Sequence, residues 1–185
     1  MKLIFSIAFA LLIYTSGAQE FMGVKVEGDN ATFISKFKAK GFIITYAENQ
    51  NVVTMKGAVG GKQYELLISS TPKTKQVWRI SVYLPEATSW SIIKSEYEDY
   101  LGVLTEKYGA PEKKYSFFSS PYNEGDGYEM NAIKLEKCYY SAFWSDSVGI
   151  MIKISKFQQV QISYENEKNS ALNDLEKKQI NSQIF

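Results

Sequence analysis

The chain contains one cysteine and no histidine. Without an imidazole it lacks the usual general base near neutral pH, every Ser-His or Cys-His nucleophilic arrangement and the commonest zinc ligand. Cys138 could act as a nucleophile if a cation lowered its pKa, and Lys137 is adjacent. Neighbours along a strand point to opposite faces, so Lys137 gives little help, and a small buried hydrophobe is the better reading. Paired carboxylates can hydrolyse glycosides, and Glu124, Asp126 and Glu129 share the stretch SSPYNEGDGYEMN. That stretch also offers oxygen ligands for calcium, but it lacks the Asp-x-Asp-x-Asp-Gly spacing and reads as a solvated turn. Gly60-Gly61 precedes an extended run rather than a helix with a Lys-Ser/Thr signature, so no phosphate loop is expected. These residues imply no catalytic group, no metal and no cofactor.

The aromatic residues carry more information. In KCYYSAFWSD, residues 137–146, large rings occupy both odd and even positions. A strand alternates its faces, so Tyr139 and Phe143 share one and Tyr140 and Trp144 the other. With Asp146-Ser147 as the tip of a two-residue hairpin, Trp144 faces Gly149, Phe143 faces Ile150 and Tyr140 faces Lys153. Tyr139 and Phe143 are then expected in the core. The second face is expected to carry Tyr140, Trp144, Met151 and Lys153, with Gln159, Gln161 and Ser163 beside them. Arg79, Ser81 and Tyr83 are its counterpart in the first half. A four-residue loop keeps this parity and a three-residue loop inverts it. Tyr, Trp, Met and Arg are enriched at protein interfaces and also suit sugar stacking. The alternative is that the C-terminal helix or the 119–131 loop covers this face and makes it a second small core.

The elements that must position these residues follow from periodicity. DNATFISKFKAKG, residues 29–41, reads as a short helix capped by Asp29 or Asn30, with Phe33, Ile34 and Phe37 as its stripe and Gly41 at its end. Phe42–Tyr46, Val52–Lys56, the KQYELLIS run and QVWRISVYLP read as strands of an antiparallel sheet. A second helix is expected from Ser89 to Tyr108, stopped by Gly109 and Pro111, with Tyr97 and Tyr100 in or at the rim of the core. KKYSFF is extended and residues 119–131 form a long loop. Tyr139–Ser145, Val148–Ser155 and Gln158–Tyr164 are strands, and Glu167 to Ile180 is a helix with thin apolar content that packs at an edge or frays. The order suggests an α+β fold built from a duplicated αββββ unit with a C-terminal helix. Its expected divisions are a signal peptide at 1–18, halves at 19–86 and 87–166, and a tail at 167–185.

The opening MKLIFSIAFALLIYTSGAQEF has a positive start, a short apolar run and small residues before Gln19, the pattern of a secretory signal peptide cleaved after Ala18. The run is too short to span a bilayer comfortably, and no cysteine near the cleavage site offers a lipid anchor. Removing this segment removes Lys2 and leaves 20 basic against 20 acidic residues. That balance is unlike a nucleic-acid binder, and no basic cluster suggests an anionic membrane surface.

The stretches FMGVKVEGDNATFISKFKAKGF, LTEKYGAP and KLEKCYYSAFW resemble small uncharacterised exported proteins of anaerobic gut bacteria. The order of elements is similar to the β-lactamase-inhibitor-like fold. That resemblance implies a concave sheet face that binds other proteins; the inhibitor is stabilised by disulfides, which one cysteine cannot copy. The expectation is therefore a periplasmic or secreted, non-enzymatic binding module for a protein partner. It has no nucleic-acid partner and no membrane anchor after cleavage. A carbohydrate- or small-ligand-binding protein or an envelope hydrolase is the alternative, and a subunit that assembles through sheet edges is a third reading.

Overall fold

A computed structural model describes residues 19–48, 51–145 and 149–183; the expected signal segment and the hairpin tip at Asp146-Ser147 lie outside them. The fold is α+β. Along the chain run β1 (Glu20–Phe21), β2 (Val24–Lys25), α1 (Asn30–Lys38), β3 (Ile43–Glu48), β4 (Val52–Val59), β5 (Lys62–Ser70) and β6 (Val77–Tyr83). Then follow α2 (Trp90–Tyr108), β7 (Lys113–Phe118), α3 (Glu129–Lys134), β8 (Cys138–Trp144), β9 (Ile150–Ile154), β10 (Val160–Glu165) and α4 (Glu167–Asn181). Strands β3 to β10 form one antiparallel eight-stranded sheet in the order β3-β4-β5-β6-β10-β9-β8-β7, while β1 and β2 pair separately. Each run of four strands is a meander, and the two runs join where β6 pairs with β10, Val82 opposite Ile162.

The helices form as their caps direct. The Asp29 carboxylate accepts from the Thr32 amide at 2.9 Å, and the Ser89 hydroxyl from the Ile92 amide at 3.4 Å, each satisfying a donor the first turn leaves free. Phe33 and Phe37 of α1 and Ile93, Tyr97, Leu101 and Leu104 of α2 are buried against one face of the sheet. Val53, Met55, Leu66, Ile68, Ile80, Val82, Ile152, Ile154, Val160 and Ile162 line that face in strict alternation, and they join the helices in one continuous core. At Gly57 of β4 an added Cβ would lie 2.6 Å from the Phe42 ring, so glycine is what lets Phe42 close the core.

Two features depart from the sequence expectation. Residues 129–134, whose first three fall in the expected 119–131 loop, form α3, with Ala132 and Ile133 buried. Helix α4 docks by polar rather than apolar residues. Asn169, Asn173 and Glu176, spaced four and three apart, are its buried side chains, while Leu175 is exposed. The Asn169 amide donates to Val77 O at 2.7 Å, and the Asn166 amide to Val26 O at 2.9 Å. Glu176 accepts from the Lys73 amide at 2.6 Å and the Thr74 hydroxyl at 2.6 Å. The helix is held by these bonds, not by a hydrophobic stripe.

Candidate functional site: the helix-free face of the sheet

The connection between β8 and β9 decides which aromatics are exposed. Trp144 pairs with Ile150 and Phe143 with Met151, so residues 145–149 form a five-residue connection. An odd length inverts the parity expected from a two-residue tip. Tyr140 and Trp144 therefore lie on the core side, 4% and 0% exposed, which corrects their expected place on the second face. Their polar ends are satisfied there. The Trp144 indole donates to Gly109 O at 2.8 Å, just past the end of α2, and the Tyr140 hydroxyl donates to Glu124 at 2.8 Å. At Gly149, with φ +57°, an added Cβ would stand 2.6 Å from Glu165 O of β10, so this entry into β9 needs glycine.

Arg79, Tyr83, Met151, Lys153 and Gln161 do sit on the helix-free side, and Gln159 continues their row just before β10. Backbone pairing sets the rows. Lys56, Glu65, Tyr83, Gln161, Lys153, Ser141 and Tyr115 lie across successive strands in one, and Thr54, Leu67, Ser81, Ser163, Met151, Phe143 and Lys113 in the next. The centre is polar and internally bonded. Ser81 and Ser163 hydroxyls lie 2.8 Å apart, and the Gln161 amide donates to Ser163 at 3.0 Å. Arg79 closes one end on Glu165, its Nε 3.0 Å from Oε2. A groove of about 690 Å³ runs from Arg79, Glu165 and Ser163 past Met151, Lys153 and Phe143 to α4. Another of about 570 Å³ lies at the other end between Tyr83, Leu67, Gln159 and Phe157. Phe157 is exposed at the β9–β10 turn.

The aromatic residues of this face belong to β7 and β8. Tyr115, Phe117 and Tyr139 are 46%, 49% and 42% exposed. Phe117 stacks on Tyr139 with centroids 4.8 Å apart, and Tyr115 meets Phe143 edge-on at 6.3 Å. Tyr139 and Phe143, expected in the core, are thus corrected to this face. The rings of KKYSFF were legible only as an extended run, because their facing depends on the pairing Phe117↔Tyr139 and Tyr115↔Ser141.

The 119–131 loop does not reach this face, and α4 borders it at one end only. The loop before α3 folds to the helix side, where Glu124 also accepts from Lys94 at 2.5 Å and from the Trp90 indole at 3.3 Å. Asp126 accepts from the Asn123 and Tyr128 amides and Glu129 from the Gly125 amide, so these two brace their own loop while Glu124 ties it to α2 and β8. No group of three or more His, Cys, Asp or Glu among the described residues is placed to hold a metal ion. Burial pushes the Cys138 thiol up to about 12, which keeps it protonated. Helix α4 flanks the Arg79–Glu165 end, its Ser170 hydroxyl donating to Glu165 at 2.6 Å, and leaves the rest open. Among the described residues no helix is long and apolar enough to cross a membrane. No family model, no curated protein and no solved structure matches the chain.

Proposed function

We propose that the chain is an exported, non-enzymatic binding module that presents the helix-free sheet face to a protein partner in the envelope or outside the cell. The observation that supports this most is the exposed ring cluster of Tyr115, Phe117 and Tyr139 beside half-buried Phe143 and Met151, on a face that, among the described residues, only α4 borders, at its Arg79–Glu165 end. Rings left half in water lose the burial that stabilises aromatic side chains elsewhere, and a contiguous exposed patch of this kind suits an interface. The polar floor and the two flanking grooves would fix orientation while the rings supply apolar contact area. Export rests on the signal-like opening. The order αββββ-αβαβββ, in which α3 interrupts the second run of four strands, together with the meeting of the two meanders at β6–β10, supports reading the chain as a duplicated unit similar to the β-lactamase-inhibitor-like fold. A concave sheet used to bind proteins would be in keeping with that likeness, which concerns architecture alone.

The test is retention of envelope proteins on immobilised protein, compared with a Phe117→Ser/Met151→Ser variant whose melting is unchanged. A protein retained by the first and lost by the second supports the reading. Retention that is equal on both, or saturable binding of a glycan with no retained protein, contradicts it and favours the carbohydrate alternative.

A further inference from the structure

Strand β7 is one edge of the sheet and, among the described residues, pairs only with β8. Lys113, Lys114, Tyr115, Ser116 and Phe117 are exposed and Phe118 is half-buried, so the strand is open on both faces and along its outer edge. Proteins usually blunt such an edge. The opposite edge, β3, is blunted by a register shift between Ile44 and Tyr46, whereas β7 keeps unbroken register with β8 from Lys113↔Phe143 to Phe118↔Cys138. The Ser119 amide donates to Lys137 O at 2.8 Å. Alternation back along the ladder assigns the groups of Phe117, Tyr115 and Lys113 to β8, and leaves the N–H and C=O of Lys114, Ser116 and Phe118 pointing outward.

We propose that β7 docks a second copy of this chain, the two β7 strands pairing antiparallel about a two-fold axis at Ser116. Only this centring sets each of the three outward-facing residues opposite an equivalent outward-facing one: Ser116 meets Ser116, and Lys114 meets Phe118. It also sets Tyr115 of one copy beside Phe117 of the other, which joins the two ring clusters into one band on the helix-free face. The charges agree. Lys113 and Lys114 stand at one end of the strand, so antiparallel pairing separates Lys114 from its counterpart by about 14 Å along the strand. That exceeds the roughly 8–10 Å range over which exposed charges interact in physiological salt. Both copies keep their helices on the same side, and the result is one sheet of doubled width. This inference does not depend on what the helix-free face binds.

Sedimentation velocity over a concentration series tests it on the wild type, Ser116→Lys and Thr45→Lys, the last at the β3 edge. A reversible dimer is expected for the wild type and Thr45→Lys, and a monomer at every concentration for Ser116→Lys, where two ammonium groups would meet at the axis. A monomeric wild type, a dimeric Ser116→Lys protein, loss of the dimer in Thr45→Lys, or open-ended polymers would each overturn the proposal. Hydrogen exchange on the wild type needs no substitution. The amides of Lys114, Ser116 and Phe118 should exchange more slowly in concentrated than in dilute protein, and equal rates would also overturn it.

Discussion

Trp144 and Tyr139 sit five residues apart on one strand and have opposite fates, so substitution separates them. Truncating the fully buried Trp144 to alanine should cost about 3–5 kcal/mol. Tyr139→Ala, which removes a ring about half in water, should cost about 1 kcal/mol or less. Denaturant unfolding of the two variants measures both, and a reversed order would mean the faces are assigned the wrong way round. Gly57→Ala should destabilise by about 1–3 kcal/mol, because its Cβ must push the Phe42 ring out of a filled core. Tyr97 supplies the opposite sign. Among the described residues its buried hydroxyl has no hydrogen-bond partner, so Tyr97→Phe should leave stability unchanged or raise it by about 1 kcal/mol. The residue scale is also where sequence reading failed most clearly. The alternation in CYYSAFW fits either face equally well, and one residue in the length of the β8–β9 connection decides between them.

Elements with an apolar period were readable. Helices α1 and α2 lie where their Phe and Ile/Leu stripes place them; of the two candidates for the α1 cap, Asp29 or Asn30, it is Asp29, and Ser89 caps α2. Helix α4 was readable as a helix, but its attachment was not, because Asn169, Asn173 and Glu176 leave no hydropathy signal. Glu176 is the direct way to test that attachment. Burial alone would raise its carboxyl, but hydrogen bonds from the Thr74 hydroxyl and the Lys73 and Thr74 amides outweigh this and hold it below the usual carboxylate range. Glu124 is lowered as well, by the Lys94 ammonium and the Tyr140 hydroxyl. A carboxyl lowered by folding contributes stability that is fully present above its unfolded value, about pH 4.3, and is lost as the pH falls through its lower native value. Glu176→Gln should therefore melt below wild type at pH 7, and the gap should close in acid. It should also speed proteolysis within α4 at pH 7. A gap that persists unchanged in acid would show that the carboxylate is not what holds the helix.

For the whole molecule, the order of the longer helices and strands and the antiparallel sheet were legible from periodicity, since the strands alternate and glycines follow α1 and α2 at Gly41 and Gly109. The joining of two meanders through β6 and β10 was not, because pairing between distant strands leaves no local pattern. That joining gives the molecule its two unlike faces, one filled by α1, α2 and α3 and one carrying a polar floor with an aromatic wing. The central claim is that the second face is where a partner sits. Site-specific photo-crosslinking tests it most directly, with a benzoylphenylalanine placed at Met151, in the middle of that face, or at Val103, exposed on α2. The expected result is a discrete adduct to another protein from position 151 and none from position 103. No adduct from 151, or the same adduct from both positions, would contradict the account.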